Sequence, residues 1–531
     1  MAMIQIQNLS FAYPGALQPV FENVTLQLDT NWRLGLVGRN GRGKTTLLRL
    51  LLGQLKGQGS IVSPEQFEYF PTAVENPAQT ALEAARAMVA PFTRWEERLQ
   101  HLAGLATPEA MEEYGELEQR YAGQEGYTIN EAILAETGRL AVEPEALARP
   151  YATLSGGEQV KLMLAALFLK PHRFLLVDEP TDHLDGEGRK TVARWLAGKQ
   201  GFILVSHDRA FLDQAVEYTL AINRAGIELV HGNYSVWRHN RTLQDEYEKA
   251  ENKKLESNIV HLSAAAKRAQ RWSDTVENSK KMKGTARSDN ASLDRGYIGH
   301  QAARMMQRSK AIEHRKEGEI QQQKALLKNV EESEPLKFHL LPAPKTRLLT
   351  AEGLSLQFGG RSLFQNLSFA LEAGQRLAIK GKNGSGKSSL LHVLEGALLP
   401  MGGSLQRQSG LVLSTLPQNT AFLSGSLRGF AAESQLDESL FLTLLRKLNF
   451  SREAFAQPLQ SYSEGQKKKV CLAASLARPA HLFIWDEPLN YIDVQSREQI
   501  EEAILASGPT MVFVEHDAAF CAKVATHEIR L

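Results

Sequence analysis

The feature that most constrains this chain is an internal repeat of phosphate-handling segments. Gly38-Arg39-Asn40-Gly41-Arg42-Gly43-Lys44-Thr45 recurs as Gly381-Lys382-Asn383-Gly384-Ser385-Gly386-Lys387-Ser388, so Lys44 and Lys387 lie 343 positions apart. Leu154-Ser155-Gly156-Gly157-Glu158-Gln159 recurs as Tyr462-Ser463-Glu464-Gly465-Gln466, and Val177-Asp178-Glu179-Pro180 as Trp485-Asp486-Glu487-Pro488, both pairs 308 positions apart. A kit copied twice on one polypeptide predicts two nucleotide sites that close on each other without a second chain.

Length and composition bound the class. A chain of 531 residues has room for two or three domains. Its 43% hydrophobic and 23% charged residues are ordinary for globular protein. Cys471 and Cys521 stand alone in apolar surroundings, which favours reduced, buried thiols over disulfides or zinc ligation. The opening Met1-Ala2-Met3-Ile4-Gln5-Ile6-Gln7 alternates like a strand, unlike a signal peptide. No apolar run approaches the ~18 residues needed to cross a bilayer. The expectation is a cytoplasmic protein with no membrane part of its own.

The two spacings also locate insertions. Between phosphate loop and Ser-x-Gly segment the first half is longer by 35 residues. The surplus falls at about 92–126, where Trp95, Leu99, Leu102 and then Met111, Tyr114, Leu117, Tyr121 recur at helical spacing around Pro108. A helical arm in domain 1 (residues 1–231) is expected there. Residues 232–344 read as a linker and 345–531 as domain 2. In the linker, Leu255, Ile259, Leu262, Ala266, Ala269, Trp272 and Val276 step by threes and fours. A second such pattern runs from Ala302 to Val330, with a glycine-rich, polar stretch at about 280–300 between them. This predicts an antiparallel coiled-coil hairpin with an irregular tip.

Charge sharpens that reading. From Lys267 to Lys310 eleven Lys and Arg face four acids, a net of +7 in a chain whose total is +1. A basic projection on an acidic body is the footprint of polyanion contact. Charge alone would equally fit a solvated coiled-coil surface; its concentration around an aperiodic tip favours nucleic acid. Lys280, Lys281, Lys283, Arg287, Arg295, Tyr297, His300 and Arg304 are the candidate polyanion-binding residues.

Each motif has a chemical reason. In G-x-x-x-x-G-K-[ST], glycines let backbone N–H groups wrap phosphates at a helix N-terminus. Gly38, Asn40, Gly41, Gly43, Lys44, Thr45 and Thr46, with Gly381, Asn383, Gly384, Gly386, Lys387, Ser388 and Ser389, are the candidate ATP-binding loops. Lys44 and Lys387 would reach the β- and γ-phosphates, and Thr45 and Ser388 would ligate Mg²⁺. Apolar runs Phe174-Leu175-Leu176-Val177 and Leu482-Phe483-Ile484-Trp485 read as buried parallel strands. The acid ending each, Asp178 or Asp486, suits Mg²⁺, and the next, Glu179 or Glu487, is placed to polarise attacking water. His207 and His516 follow further apolar strands at matched offsets, which favours a γ-phosphate contact over a structural role. Tyr13 and Phe358 occupy corresponding upstream places, open to adenine stacking or to core packing.

In this order, with Thr181-Asp182-His183-Leu184-Asp185 between, the segments resemble the ATP-binding-cassette ATPases. Paired cassettes, the first-half arm and the charged linker resemble the ABC-F branch, ATPases that act on ribosomes. Tyr462-Ser463-Glu464-Gly465-Gln466-Lys467-Lys468-Lys469-Val470, Glu487-Pro488-Leu489-Asn490-Tyr491-Ile492-Asp493 and the tip Gly296-Tyr297-Ile298-Gly299-His300 are similar to its antibiotic-resistance subgroup. The resemblance implies an α/β fold: two ABC-type P-loop nucleotide-binding domains joined by a long α-helical linker. It implies ATP and Mg²⁺ as ligands and head-to-tail cassettes within a monomer. Ser463, Gly465 and Gln466 would then complete the first site, and Ser155, Gly156, Gly157 and Gln159 the second. Gln418 would join the metal ligands. It implies ribosome protection, with the tip against rRNA and tRNA near the exit site. The alternatives are a housekeeping translation factor and, on weaker grounds, the ATPase subunit of a membrane transporter. Three departures from the family pattern point to unequal sites: Thr72 where a glutamine like Gln418 is expected, Glu464 for the first signature glycine, and Leu489-Asn490 for Thr181-Asp182.

Overall fold

The structure is a computed structural model that describes residues 2–15, 19–39, 41–105, 107–223, 226–282, 334–343, 345–358, 361–452 and 454–531. The first half runs through β1 (Met3–Phe11), β2 (Phe21–Asp29), β3 (Arg33–Gly38), β4 (Gln58–Val62) and β5 (Gln66–Phe70). After a helical stretch it continues through β6 (Arg173–Asp178), β7 (Phe202–Val205), β8 (Tyr218–Asn223) and β9 (Gly226–His231). The second half repeats the scheme with β10 (Arg347–Phe358), β11 (Arg361–Glu372), β12 (Arg376–Lys380), β13 (Gly402–Arg407), β14 (Leu413–Leu416), β15 (Leu482–Asp486), β16 (Met511–Val514) and β17 (His527–Arg530).

Each half pairs a small antiparallel sheet, β2-β1-β4 or β11-β10-β13, with a larger one, β5-β6-β7-β3-β8-β9 or β14-β15-β16-β12-β17. The larger sheets are parallel apart from β9. Continuous apolar runs form their centres because both faces are covered. Phe174 to Val177 and Leu482 to Trp485 are all essentially inaccessible to solvent. The register is the same in both halves: Asp178 lies opposite Val205 on β7, and Asp486 opposite Val514 on β16. Each acid therefore emerges at the carboxyl edge of a parallel sheet, where such folds bind ligands.

Of the first-half helices Phe92–Ala103 and Pro108–Gly123, the second is capped by Thr107, whose side chain accepts from the amide of Ala110. Arg98 grips Glu113 through two hydrogen bonds of 2.7 Å. Tyr121 anchors the pair, edge-on to Phe92, with its hydroxyl donating to Glu96 and to the carbonyl of Gly126.

The chain divides into two compact units: Met1–Trp237 with Ser333–Leu531, and Arg238–Glu332. Residues 238–282 of the second unit belong to one helix, Tyr234–Met282, of 49 residues. At ~1.5 Å rise per residue it is roughly 70 Å long. Its periodic apolar residues are those read in the first linker pattern. The second pattern, from Ala302 to Val330, lies outside the described residues.

Within the first unit the halves share a matched buried pair. Arg189 meets Asp208 at 3.1 Å, and Arg497 meets Asp517 at 3.3 Å. Each joins the helix capped by Asp185 or Asp493 to the residue after His207 or His516. A contact between the halves has no counterpart at the matching positions, which hold Ala518 and Ala193: Arg209 bonds the fully buried Glu501, which also accepts from Lys523 at 2.9 Å.

Trp485 shows how tightly the second core is filled. It is fully buried, donates to the Ser475 hydroxyl at 2.8 Å and stacks on Phe338. Trp485→Ala is expected to cost about 3–5 kcal/mol, the range for truncating a buried aromatic. Urea unfolding followed by circular dichroism checks this.

Candidate functional site

The phosphate loops are set by glycines at the start of the helices Lys44–Leu51 and Lys387–Glu395. Gly43 and Gly386 both sit at φ 95, a left-handed conformation that a side chain resists. A Cβ on Gly43 would also meet Val20 at 2.5 Å and Phe21 at 2.8 Å. Lys44 Nζ donates to the carbonyl of Gly38 at 2.8 Å; Lys387 Nζ donates to those of Gly381 and Lys382 at 3.0 and 2.9 Å. Both ammonium groups are buried, and burial pushes both pKa values down. An anion in the loop offers each a better partner than a carbonyl.

Glu179 and Glu487 leave their strands at φ 47, again left-handed and here non-glycine. Their amides are held by the carbonyls of Val205 and Val514 at 2.9 and 3.0 Å. Strain at the same position in both halves marks a built geometry. His207 Nε2 lies 3.4 Å from Glu179, and His516 Nε2 3.6 Å from Glu487. So acid, glutamate and histidine converge at each sheet edge.

The two convergences differ in their neighbours. Gln418 Nε2 donates to Glu487 at 2.9 Å, and Asn490 donates to the same oxygen. Burial opposes ionisation of Glu487, but His516 and Gln418 outweigh it and hold its pKa below the ordinary value. Among the described residues Glu179 accepts from the amide of His207 at 3.2 Å and from no such side chain; burial, with Asp182 and Asp178 nearby, pushes it up to about 8. At the first site Tyr69 donates instead to Asp178 at 2.9 Å. Asp486 hydrogen-bonds Ser388 and keeps one buried oxygen without a partner, an arrangement of hard oxygen donors suited to a small divalent cation beside a phosphate.

The Ser-x-Gly segments cap the helices Gly156–Phe168 and Glu464–Ala477, with Ser155 and Ser463 as caps. Gly465 sits where a Cβ would lie 2.6 Å from the carbonyl of Tyr491. Gln159 bonds the carbonyls of Tyr151 and Leu154. Gln466 takes the place of Glu158 rather than of Gln159: its side chain closes the capping box on the amide of Ser463 at 2.9 Å.

The halves face each other head to tail across these segments. One cleft of about 810 Å³ is lined by Ser155, Gly156 and Gly157 from the first half and Lys387, Ser388, Ser389, Gln418, Glu487 and His516 from the second. Gly384, Gly386, Asn383 and the exposed ring of Phe358 line the same cleft. Asn383 reaches the carbonyl of His183 at 3.5 Å. On the other side Arg39 bonds Gln495, and the field at Lys44 includes Asp493 and Lys469 of the second half. Tyr13 packs edge-on to Phe11 and shares a 3.0 Å hydrogen bond with Thr46.

Asn40, Lys283, Arg287, Arg295, Tyr297, His300 and Arg304 lie outside the described residues; Lys280 and Lys281 fall on the last turns of the helix Tyr234–Met282. Sequence reading missed Tyr69 and Lys468 as neighbours of the site and had Asn490 only as a departure from the family pattern, not as a donor to Glu487. A position-by-position comparison of the halves at the 308 spacing carried the signal for Asn490 and Lys468, which stand opposite Asp182 and Val160.

The family model described as "ABC transporter" matches residues 21–182 and again 364–490. The chain is 27% identical over 548 residues to "Putative ATP-binding protein YdiF" of Bacillus subtilis, covering 100% of this chain and 80% of the relative. It is also 27% identical over 549 residues to "Ribosome protection protein VmlR" of the same organism, covering 99% and 86%. Its fold is similar to that in "Crystal structure of the complex of archaeal ribosomal stalk protein aP1 and archaeal ribosome recycling factor aABCE1", with a TM-score of 0.58 at 18% identity over 98% of this chain and 87% of that one. Among the described residues no helix is long and apolar enough to cross a membrane. With its nucleotide-binding domain present twice and its cassettes facing head to tail, the chain belongs to the ATP-binding-cassette family and stands among the ABC-F proteins.

Proposed function

We propose that this protein is an ATPase that acts on the ribosome, with ribosome protection against antibiotics bound near the peptidyl-transferase centre as its role. The observation that carries the reading is the composite cleft, in which the signature of one half faces the phosphate loop and carboxylates of the other. Likeness to a relative named a ribosome protection protein over nearly the whole of both chains supports the target. The basic stretch of sequence around Lys280 and Lys281, continuing through Lys283, Arg287, Arg295, Tyr297, His300 and Arg304, has the charged and aromatic residue types that RNA contact needs.

In this reading Lys44 and Lys387 exchange their carbonyl partners for the β- and γ-phosphates of ATP. Glu179 and Glu487 orient water for attack, and His207 and His516 hold the γ-phosphate. Mg²⁺, when bound, would neutralise phosphate charge, with Thr45 and Asp178, or Ser388, Asp486 and Gln418, as its protein partners. Ser463 with Gly465 and Ser155 with Gly157 grip the nucleotide from across the interface. Binding draws the halves together and hydrolysis releases them.

Two outcomes check this. Glu179→Gln/Glu487→Gln, loaded with ATP, is expected to co-sediment with bacterial ribosomes at low salt. Binding should fall steeply as salt rises, since several phosphate contacts are lost together. A protein that stays at the top of the gradient at low salt overturns the ribosomal role.

The single variants report the sites separately. Each Glu→Gln change is expected to lower its own site's turnover by about 10²–10⁴-fold, the range for a general base. Because Glu487 has Gln418 and Asn490 as donors and Glu179 has neither, Glu487→Gln should remove more of the total ATPase rate than Glu179→Gln. Equal residual rates in a phosphate-release assay would count against unequal sites.

A further inference from the structure

The helix Glu464–Ala477 begins at one nucleotide site and is bolted to the other. In the proposed reading its cap, Ser463, serves the first phosphate loop, and Lys469 on the same helix contributes to the field at Lys44. Five residues on, Lys468 is 2% exposed, and its Nζ donates to the carbonyls of Pro417 and Asp486, both at 3.0 Å. Those carbonyls immediately precede Gln418 and Glu487, which are themselves hydrogen-bonded at 2.9 Å. One ammonium thus ties the signature helix to both chain segments that carry the polar groups of the second site.

The first half has no such tie. Val160 occupies the matching position on the helix Gly156–Phe168, and Thr72 stands where Gln418 would be. The amide of Thr72 is bonded to the sulfur of Met163. The surroundings differ in the same sense: Ser206, bonded to Thr181, stands where the second half has the buried Glu515. Burying an ammonium against carbonyls is costly where valine fits the same fold. Glu515, Asp486, Glu487 and Cys471 are the titratable groups whose fields reach Lys468 and oppose that cost.

We propose that Lys468 is a positioning residue that makes hydrolysis at the second site conditional on phosphate engagement by Ser463 and Gly465 at the first. A helix is rigid over one and a half turns, so a shift at Ser463 is delivered to Pro417 and Asp486. Gln418 and Glu487 move with them. The converse route ends at Val160, so turnover at the first site does not depend on the second in this way. Linkage makes the two binding affinities reciprocal but leaves turnover free to be one-directional. The proposal rests on the reading that both sites hydrolyse ATP.

The test uses the full chain carrying Glu179→Gln, so that the second site supplies the measured turnover. Ser463→Asp keeps a helix cap and repels phosphate at the first site. It is expected to lower second-site kcat by about tenfold, within the usual range of coupling between sites. Lys468→Met should lower it comparably, and the two together no further than Lys468→Met alone. Lys468→Arg, which keeps charge and donors, should restore most of the rate and guards against misfolding of the methionine variant. The same series on Glu487→Gln reads the first site, where Lys468→Met should cost clearly less than at the second. Multiplying effects in the double variant, equal losses at both sites, or no rescue by arginine overturns the coupling alone. Absence of ATP turnover in the unsubstituted chain overturns the hydrolysis reading and the coupling with it.

Discussion

The amide of each glutamate that follows a strand, held by the last residue of the next strand, is the contact on which both sites depend. Glu179 and Glu487 can turn into the left-handed region because Val205 and Val514 accept their N–H groups. That acceptor exists only because β6 pairs with β7, and β15 with β16, in one register. The register in turn is fixed by apolar residues buried on both faces of the parallel sheets. A slip by one residue would exchange the side chains packed on the two faces of the sheet and carry the carboxylates away from the histidines. Core packing and carboxylate placement are therefore one constraint.

The second constraint is pairing of the halves. Neither half holds a complete cleft, since Lys387 and Ser155 come from opposite sides. A tether raises the effective concentration of one half at the other, so the interface needs fewer contacts than a free dimer would. Those present are not symmetric. Arg209 reaches Glu501, whereas the corresponding positions hold Ala518 and Ala193. Breaking such a pair would leave a carboxylate buried with only Lys523 for company, which is strongly unfavourable.

Much of this was legible in the residues. The apolar runs before Asp178 and Asp486 announced buried parallel strands, and the glycines before Lys44 and Lys387 announced backbone loops leading into helices. Both signals are local, dictated by backbone sterics and burial. The halves themselves could be aligned because their motifs keep one spacing. What the sequence did not disclose is contact between distant segments. Nothing near Tyr69 says that its hydroxyl meets Asp178, 109 positions away. Gln466 looked like a signature glutamine, yet its distance from the cap makes it a capping residue. Lys468 lay within a run of three lysines that reads as a solvated helix face. Lys467 bonds Glu464 near the surface, while Lys468 and Lys469 turn inward to the carbonyls of Pro417 and Asp486 and to Asp493.

That run shows where two copies of one fold can diverge at least expense. In the proposed reading the phosphate loops, the strand-ending acids, His207 and His516 serve a common ligand and cannot drift independently. The positions between them answer only to packing and to hydrogen-bond satisfaction. There, one half uses Val160 and Thr72 and the other Lys468 and Gln418, with the fold unchanged. The second half has exchanged apolar contacts for directed hydrogen bonds to backbone. Apolar packing tolerates small displacements, since its energy is spread over many weak contacts. A charged donor held by two carbonyls in a dry interior does not tolerate them, because misalignment strands a buried ammonium. The half that carries Lys468 is therefore the half in which movement of the signature helix must move the catalytic edge of the sheet.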